Sequence, residues 1–187
     1  PNSFAFVRAY LAVVTAGAVA VLLPPHLDET TVFGCSLKFS LKALVVADEL
    51  RAKTAFAAEK NPRLTLIGCG EAGDPAPAVP AAGEDGCAVL FTGGTTGKSK
   101  GALLSHRAVM AGTRNGCYGI RKVFGLRYLL VLPLTHVFGL IRNLMTSLYT
   151  GSTLFICRNN KDMFKDIAVF RPDILVLVPA LAEMALG

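Results

Sequence analysis

Short apolar runs separated by polar or glycine-containing stretches recur along the whole chain, and their lengths predict alternating helices and strands. Residues 4–16, 49–59, 105–112, 138–148 and 163–170 read as helices, with a further one from Ala180 onward. Strands are expected at 19–23, 43–46, 64–67, 88–91, 102–104, 128–132, 153–157 and 174–178. Ser105 stands where a side-chain oxygen would cap the helix that begins at His106. Apolar strands alternating with helices point to an α/β fold with mostly parallel sheet layers flanked by helices. The stretch Gly70 to Gly86, GEAGDPAPAVPAAGEDG, carries glycines, prolines and the one dense acidic cluster, so it reads as a loop. It separates a first βα portion, 1–69, from a second portion, 87–187.

Length and composition set bounds on this picture. With 187 residues, 52% of them hydrophobic, the chain can bury a sizeable core, which excludes disorder. Ala9 to Leu23 is the one run that resembles a membrane segment, but it falls short of the ~20 apolar residues a span requires and is interrupted at Gly17. It reads as a buried helix, a glycine turn and a buried strand. The five cysteines, Cys35, Cys69, Cys87, Cys117 and Cys157, form no C-x-x-C pair and are odd in number. They read as buried thiols rather than a zinc site or a disulfide framework, and suggest a cytoplasmic setting.

Charge is unevenly placed. The net charge is +6, and no acidic residue occurs between Gly86 and Lys161, a stretch that holds ten lysines and arginines. Such a field attracts polyanions. The basic residues are separated by long apolar runs, and no helix-turn-helix, zinc-finger or RNP-like pattern accompanies them, so a nucleotide partner fits better than a nucleic acid. A solvated basic face is the alternative.

The chemistry concentrates in Leu90 to Gly101, LFTGGTTGKSKG. Glycines let backbone N–H groups approach a polyphosphate, threonine hydroxyls add donors, and lysine supplies a point charge. A Walker A loop would use Gly97, Lys98 and Ser99 but needs a glycine where Thr92 stands, and Lys100 and Gly101 prolong the loop before any helix begins. His26, His106 and His136 lack metal-ligand spacing.

The same loop resembles the T-S-G-T-T-G-x-P-K-G signature of the adenylate-forming superfamily, which includes acyl-CoA synthetases, adenylation domains and luciferases. Seven of nine specified positions match: Thr92, Gly94, Thr95, Thr96, Gly97, Lys100 and Gly101. Gly93 replaces the serine and Ser99 the proline. GALLSH at 101–106 resembles the segment that follows the signature, and LPLTHVFG at 132–139 resembles the second core motif P-L-x-H-x-F-G. The runs AYLAVVTAGAVAVLLPP at 9–25 and FRPDILVLVP at 170–179 resemble flanking units in the right order.

The resemblance implies ATP-dependent activation of a carboxylic acid to an acyl-adenylate, followed by transfer to coenzyme A. A fatty acid is the expected substrate, on the run from Pro133 to Val178. It implies Lys100 near the β- and γ-phosphates and His136 between the acyl pocket and the nucleotide loop, both catalytic. Thr92, Gly93, Gly94, Thr95, Thr96, Gly97 and Lys100 would bind the nucleotide, with Thr96 on the metal side and Mg2+ as the metal. Partners would be the carboxylate, ATP and CoA, with neither nucleic acid nor a transmembrane segment. The later family motifs are not found in these 187 residues. The expectation is therefore a partial N-terminal domain without the C-terminal lid domain, unable to complete the reaction alone. Three alternatives stand beside it: a noncatalytic degenerate module of the same fold, adenylation of an aryl or amino acid, and a P-loop-like NTPase working through Lys98 and Ser99.

Overall fold

The computed structural model describes residues 2–71, 73–74, 76–92, 100–117 and 124–186. Two compact units emerge, one of Ser3–Ala82 with Gly86–Leu103 and the other of Gly83–Asp85 with Leu104–Gly187 and Asn2.

In the first unit the elements are helix α1 (Phe4–Thr15), strand β1 (Ala20–Val21), α2 (Glu29–Lys38), β2 (Ala43–Val46), α3 (Arg51–Lys60), β3 (Thr65–Gly68) and β4 (Gly86–Thr92). Strand β5 (Lys100–Ser105) begins there as well. One sheet has the order β1-β4-β5, with β1 parallel to β4 and Ala20 opposite Ala88. The second pairs β2 with β3 in parallel from Ala43 opposite Thr65 to Val46 opposite Gly68. Val32, Ala57 and Leu64 form a core with Leu23, Leu27, Phe33, Leu41 and Leu44 packed against it.

Helix α2 has no counterpart in the hydropathy pattern. Its sequence, ETTVFGCSLK, carries β-branched residues and a glycine, both weak helix formers. Tertiary packing and a cap decide it. The Asp28 carboxylate accepts from the Thr31 N–H at 2.7 Å and from the Thr31 hydroxyl at 2.9 Å. Val32, Cys35 and Ser36, at helical spacing, are buried. The Ser36 hydroxyl donates to Phe33 O and accepts from Asn61 Nδ2. The expected buried helix over residues 9–16 is instead half-buried: in α1 only Tyr10 is buried, while Phe4 lies open. The turn at Gly17 appears as expected, at φ +73°.

The second unit contains α4 (His106–Asn115), β6 (Arg127–Leu130), a wide π-helical segment (Phe138–Met145) that continues as the single turn α5 (Thr146–Tyr149), β7 (Thr153–Ile156), α6 (Met163–Phe170), β8 (Ile174–Leu175) and α7 (Pro179–Leu186). Ser105 caps α4, its hydroxyl accepting from Ala108 N–H at 3.2 Å. The sheet runs β7-β6-β8 with both pairings parallel: Arg127 faces Thr153, and Tyr128 faces both Leu154 and Ile174. The parallel, helix-covered α/β character read from the sequence is therefore present. Central strand β6 has Tyr128, Leu129 and Leu130 at 1% exposure or less. Leu129, Val131, Leu132, Cys157 and Met163 make the core, with Phe155, Ile167, Leu175 and Val178 against it.

Ladders end sooner than apolar runs do. The expected strands 128–132 and 174–178 pair only over 127–130 and 174–175. Val131, Leu132 and Val176 stay apolar because they line the core past the last paired residue. At that end of β6 the chain turns sharply: the His136 N–H donates to Pro133 O at 3.0 Å and the Leu140 N–H to His136 O at 2.9 Å. Gly139 lies against the carbonyl of Pro133. A Cβ there would fall on the Pro133 oxygen and within 2.6 Å of its carbon, so no side chain fits.

One carboxylate is buried by its partner. Asp166, 2% exposed, accepts from Arg158 Nε at 2.8 Å and from the Arg158 backbone N–H at 3.0 Å. The Arg158 hydrogen bonds hold its carboxyl below the ordinary value of 3.8.

Two outcomes follow for stability. Gly139→Ala must displace backbone rather than a side-chain tip, and is expected to cost about 3 kcal/mol or more in chemical denaturation. A depressed carboxyl stabilises the fold above its unfolded pKa and loses that contribution as pH falls through the folded value. Asp166→Asn should therefore lower stability at neutral pH and flatten the decline of wild-type stability below the ordinary carboxyl value of 3.8. Equal acid limbs for the two proteins in pH-dependent denaturation would contradict it.

Candidate functional site

The nucleotide-loop residues sit between two paired strands. Strand β4 carries Cys87 to Leu90, all at 5% exposure or less, and then emerges at Phe91 and Thr92. The chain returns as β5 at Lys100. The Thr92 hydroxyl donates to the Lys100 carbonyl at 3.3 Å, so the first and next-to-last matched residues of the signature are tied across the strand pair. Gly93, Gly94, Thr95, Thr96 and Gly97 lie outside the described residues, as do Lys98 and Ser99.

Lys100 is exposed, and no ion pair among the described residues involves it. Its neighbour Gly101 has a different task. A Cβ at Gly101 would lie 2.9 Å from both Phe39 Cζ and Val89 Cγ1. Phe39 packs edge-on against Phe91, with centroids 5.8 Å apart and planes at 87°. Glycine there admits an aromatic pair against the strands that bear the loop. Sequence reading assigned Gly101 to the motif but not to this contact.

In the second unit, His136 follows β6 after the turn closed on Pro133. Strand order β7-β6-β8 makes β6 the strand from which the chain steps to one side and then crosses to the other. The carboxyl end of such a strand is where open parallel sheets place ligands. His136 is exposed rather than a core histidine, and its ring lies parallel to that of Phe138 at 6.1 Å and 11°. Nδ1 accepts a long bond, 3.5 Å, from the Phe138 N–H. In the neutral ring the proton then sits on Nε2, leaving that edge as a donor. Sequence reading placed His136 here but missed Asn143, a fully buried residue whose side-chain nitrogen donates to Phe138 O at 3.4 Å.

Thr92 and Lys100 thus come together, and His136 is presented separately at its own strand end. Among the described residues no three His, Cys, Asp or Glu side chains gather as metal ligands. All five cysteines are free, and burial pushes the Cys35, Cys87 and Cys157 thiols up, away from nucleophilic thiolates. Cys69 and Cys117 are half-buried. Among the described residues no helix is long and apolar enough to cross a membrane.

Residues 1–187 match the family of AMP-binding enzymes along their whole length. The chain is 30% identical over 190 residues to 4-coumarate–CoA ligase-like 3 of Oryza sativa, covering 84% of this chain and 32% of that protein. It is 32% identical over 139 residues to long-chain-fatty-acid–CoA ligase 1 of Schizosaccharomyces pombe, covering 67% and 20%. Among solved structures, ATP-bound MatB from Rhodopseudomonas palustris superposes with a TM-score of 0.85 at 24% identity, covering all of this chain and 39% of that one. The inhibitor-bound N-terminal domain of FACL13 from Mycobacterium tuberculosis gives 0.85 at 25% identity, covering 98% and 49%. The matched region spans a third or less of the two curated relatives. Matched along its whole length to that family and superposing on such folds, the chain belongs to the AMP-binding enzyme family and has the α/β fold of adenylate-forming N-terminal domains.

Proposed function

We propose that this chain serves ATP-dependent activation of a carboxylic acid, a fatty acid, to an acyl-adenylate, with coenzyme A as the acceptor of the acyl group. The observation that carries the reading is Lys100: an exposed cation at the end of a Gly/Thr loop, with no ion pair among the described residues and its carbonyl tied to Thr92. Among the described residues, nothing in the packing requires a lysine there. CoA-ligase relatives and the ATP-bound neighbour support the same assignment.

In the first step a carboxylate oxygen of the acid attacks the α-phosphorus of ATP, and the bond to the bridging oxygen of pyrophosphate breaks. Pyrophosphate leaves with that electron pair. Negative charge shifts toward the leaving group, so fixed positive charge and pre-aimed donors there lower the barrier. Lys100 supplies the charge, and Thr92, Gly93, Gly94, Thr95, Thr96 and Gly97 form the cradle. Mg2+ would neutralise phosphate charge, with the Thr96 hydroxyl on its side of the cradle. In the second step the sulfur of CoA attacks the acyl carbon, the thiol proton passes to solvent, and AMP leaves. His136, an exposed imidazole, is assigned to the acyl side.

A noncatalytic module of the same fold is the second reading, favoured by Gly93 and Ser99 where the signature has serine and proline. Aryl or amino acids are the alternative substrates.

ATP–pyrophosphate exchange with fatty, aryl and amino acids decides among these, measured on a longer chain that contains these 187 residues. The expected result is exchange stimulated by fatty acids and reduced on the order of 10²-fold by Lys100→Ala, with unfolding unchanged. Lys98→Ala should leave exchange near wild type, and the reverse ranking would favour a P-loop-like site. Absence of both exchange and ATP binding would leave the noncatalytic module.

A further inference from the structure

The segment after His136 is wound wider than an α-helix, and its own side chains hold it open. A π-turn leaves carbonyls badly placed for the usual i+4 donor, and such turns occur mostly where a site demands them. Here two residues at i+5 donate back into the widened turns. The Asn143 side-chain nitrogen meets Phe138 O at 3.4 Å, and the Thr146 hydroxyl meets Ile141 O at 2.9 Å. The Thr146 N–H also bonds Ile141 O.

Asn143 is an expensive choice. It is 0% exposed, and its Oδ1 has no hydrogen-bond partner among the described residues. An unpaired buried acceptor is costly, and stability alone would favour an apolar side chain in this core. What the amide gains is a hold on the Phe138 carbonyl. Phe138 O belongs to the residue whose N–H meets His136 Nδ1 and whose ring lies parallel to the imidazole. On the other side, Gly139 is pressed against the Pro133 carbonyl, which also accepts from His136 N–H.

From this geometry we infer that Asn143 is a positioning residue: its side-chain amide holds the Phe138 carbonyl, and through the backbone of Phe138, whose N–H meets His136 Nδ1, the orientation of His136. The inference rests on the reading that His136 belongs to the acyl-activating site, and extends it to a residue that touches no substrate. Its signature is a split between stability and geometry. A residue kept for packing alone would lose both together, whereas this one trades stability for the aim of the imidazole.

The test uses three variants: Asn143→Leu, and the nearly isosteric pair Asn143→Thr and Asn143→Val, which differ in a single donor. Thr146 shows that a threonine hydroxyl reaches an i−5 carbonyl in this segment. Each is examined by chemical denaturation and by NMR of the His136 ring nitrogens, and exchange is measured where the wild type has it. Asn143→Leu, which removes both the donor and the unpaired acceptor, should displace the His136 resonances. Asn143→Val should displace them too, and Asn143→Thr should restore them. Exchange should fall on the order of tenfold in Leu and Val, carried by kcat or by the acid's KM with the KM for ATP unchanged. His136 resonances at wild-type positions in both Leu and Val would overturn the inference, as would equal displacement in Thr and Val. If Asn143→Leu does not fold, the Thr and Val pair decides alone. A His136 displacement in a protein that shows no exchange would leave the positioning role standing and remove the acyl-activating reading.

Discussion

The second unit depends on how the chain leaves its central strand. Strand β6 is flanked on both sides and sealed at three of its four residues, so the backbone past Leu130 cannot wander. It must turn within a few residues into a helix that covers the same sheet. The Pro133 carbonyl does this twice over, accepting the His136 N–H and lying against the bare Cα of Gly139. Proline, histidine and glycine at 133, 136 and 139 are thus parts of one turn. Two of them serve the turn, and the third is what the turn presents.

Polar burial in this region follows from the same constraint. Thr113, Asn143, Thr146, Ser147 and Thr150 are all 1% exposed or less, an unusual density of hydroxyls and amides for a core. Nearly all are satisfied locally, by carbonyls within their own helical segment: Thr113 on Val109, Ser147 on Leu144, Thr150 on Thr146. Short polar side chains bonding backward to carbonyls bend helices, and in the wide segment after His136 the donors of Asn143 and Thr146 reach carbonyls five residues back.

That chemistry explains what could be read in advance. Helix α6 at Met163–Phe170 and the Ser105 cap were legible, because apolar spacing and a capping oxygen are local signals. Helix α2 was not, since Gly34 and the β-branched run hide it and only the Asp28 cap announces it. The run 138–148 reads as an ordinary helix, because apolar periodicity alone does not distinguish a 3.6-residue turn from a wider one. The distinguishing marks, donors at 143 and 146 placed five residues after 138 and 141, acquire meaning only once the carbonyls have positions. At the candidate site, resemblance singled out Lys100 and His136, while the contact of Phe39 with Gly101 was not legible, because it joins residues 62 positions apart in sequence.

The matched motif residues also divide by physical duty, and the division bears on function. Gly139 is fixed by backbone atoms that a Cβ would strike and Gly101 by the Phe39 and Val89 side chains, so the fold asks for both here whether or not the chain binds ATP. They identify the family and say nothing of activity. Lys100 and His136 are exposed; among the described residues no ion pair uses the Lys100 cation, and the His136 ring makes only the local contacts to Phe138. A degenerate module would keep the first pair and be free to lose the second. Finding both pairs together weights the reading toward a chain whose loop still handles phosphates. The two departures, Gly93 and Ser99, fall between the strands that carry the loop rather than within them.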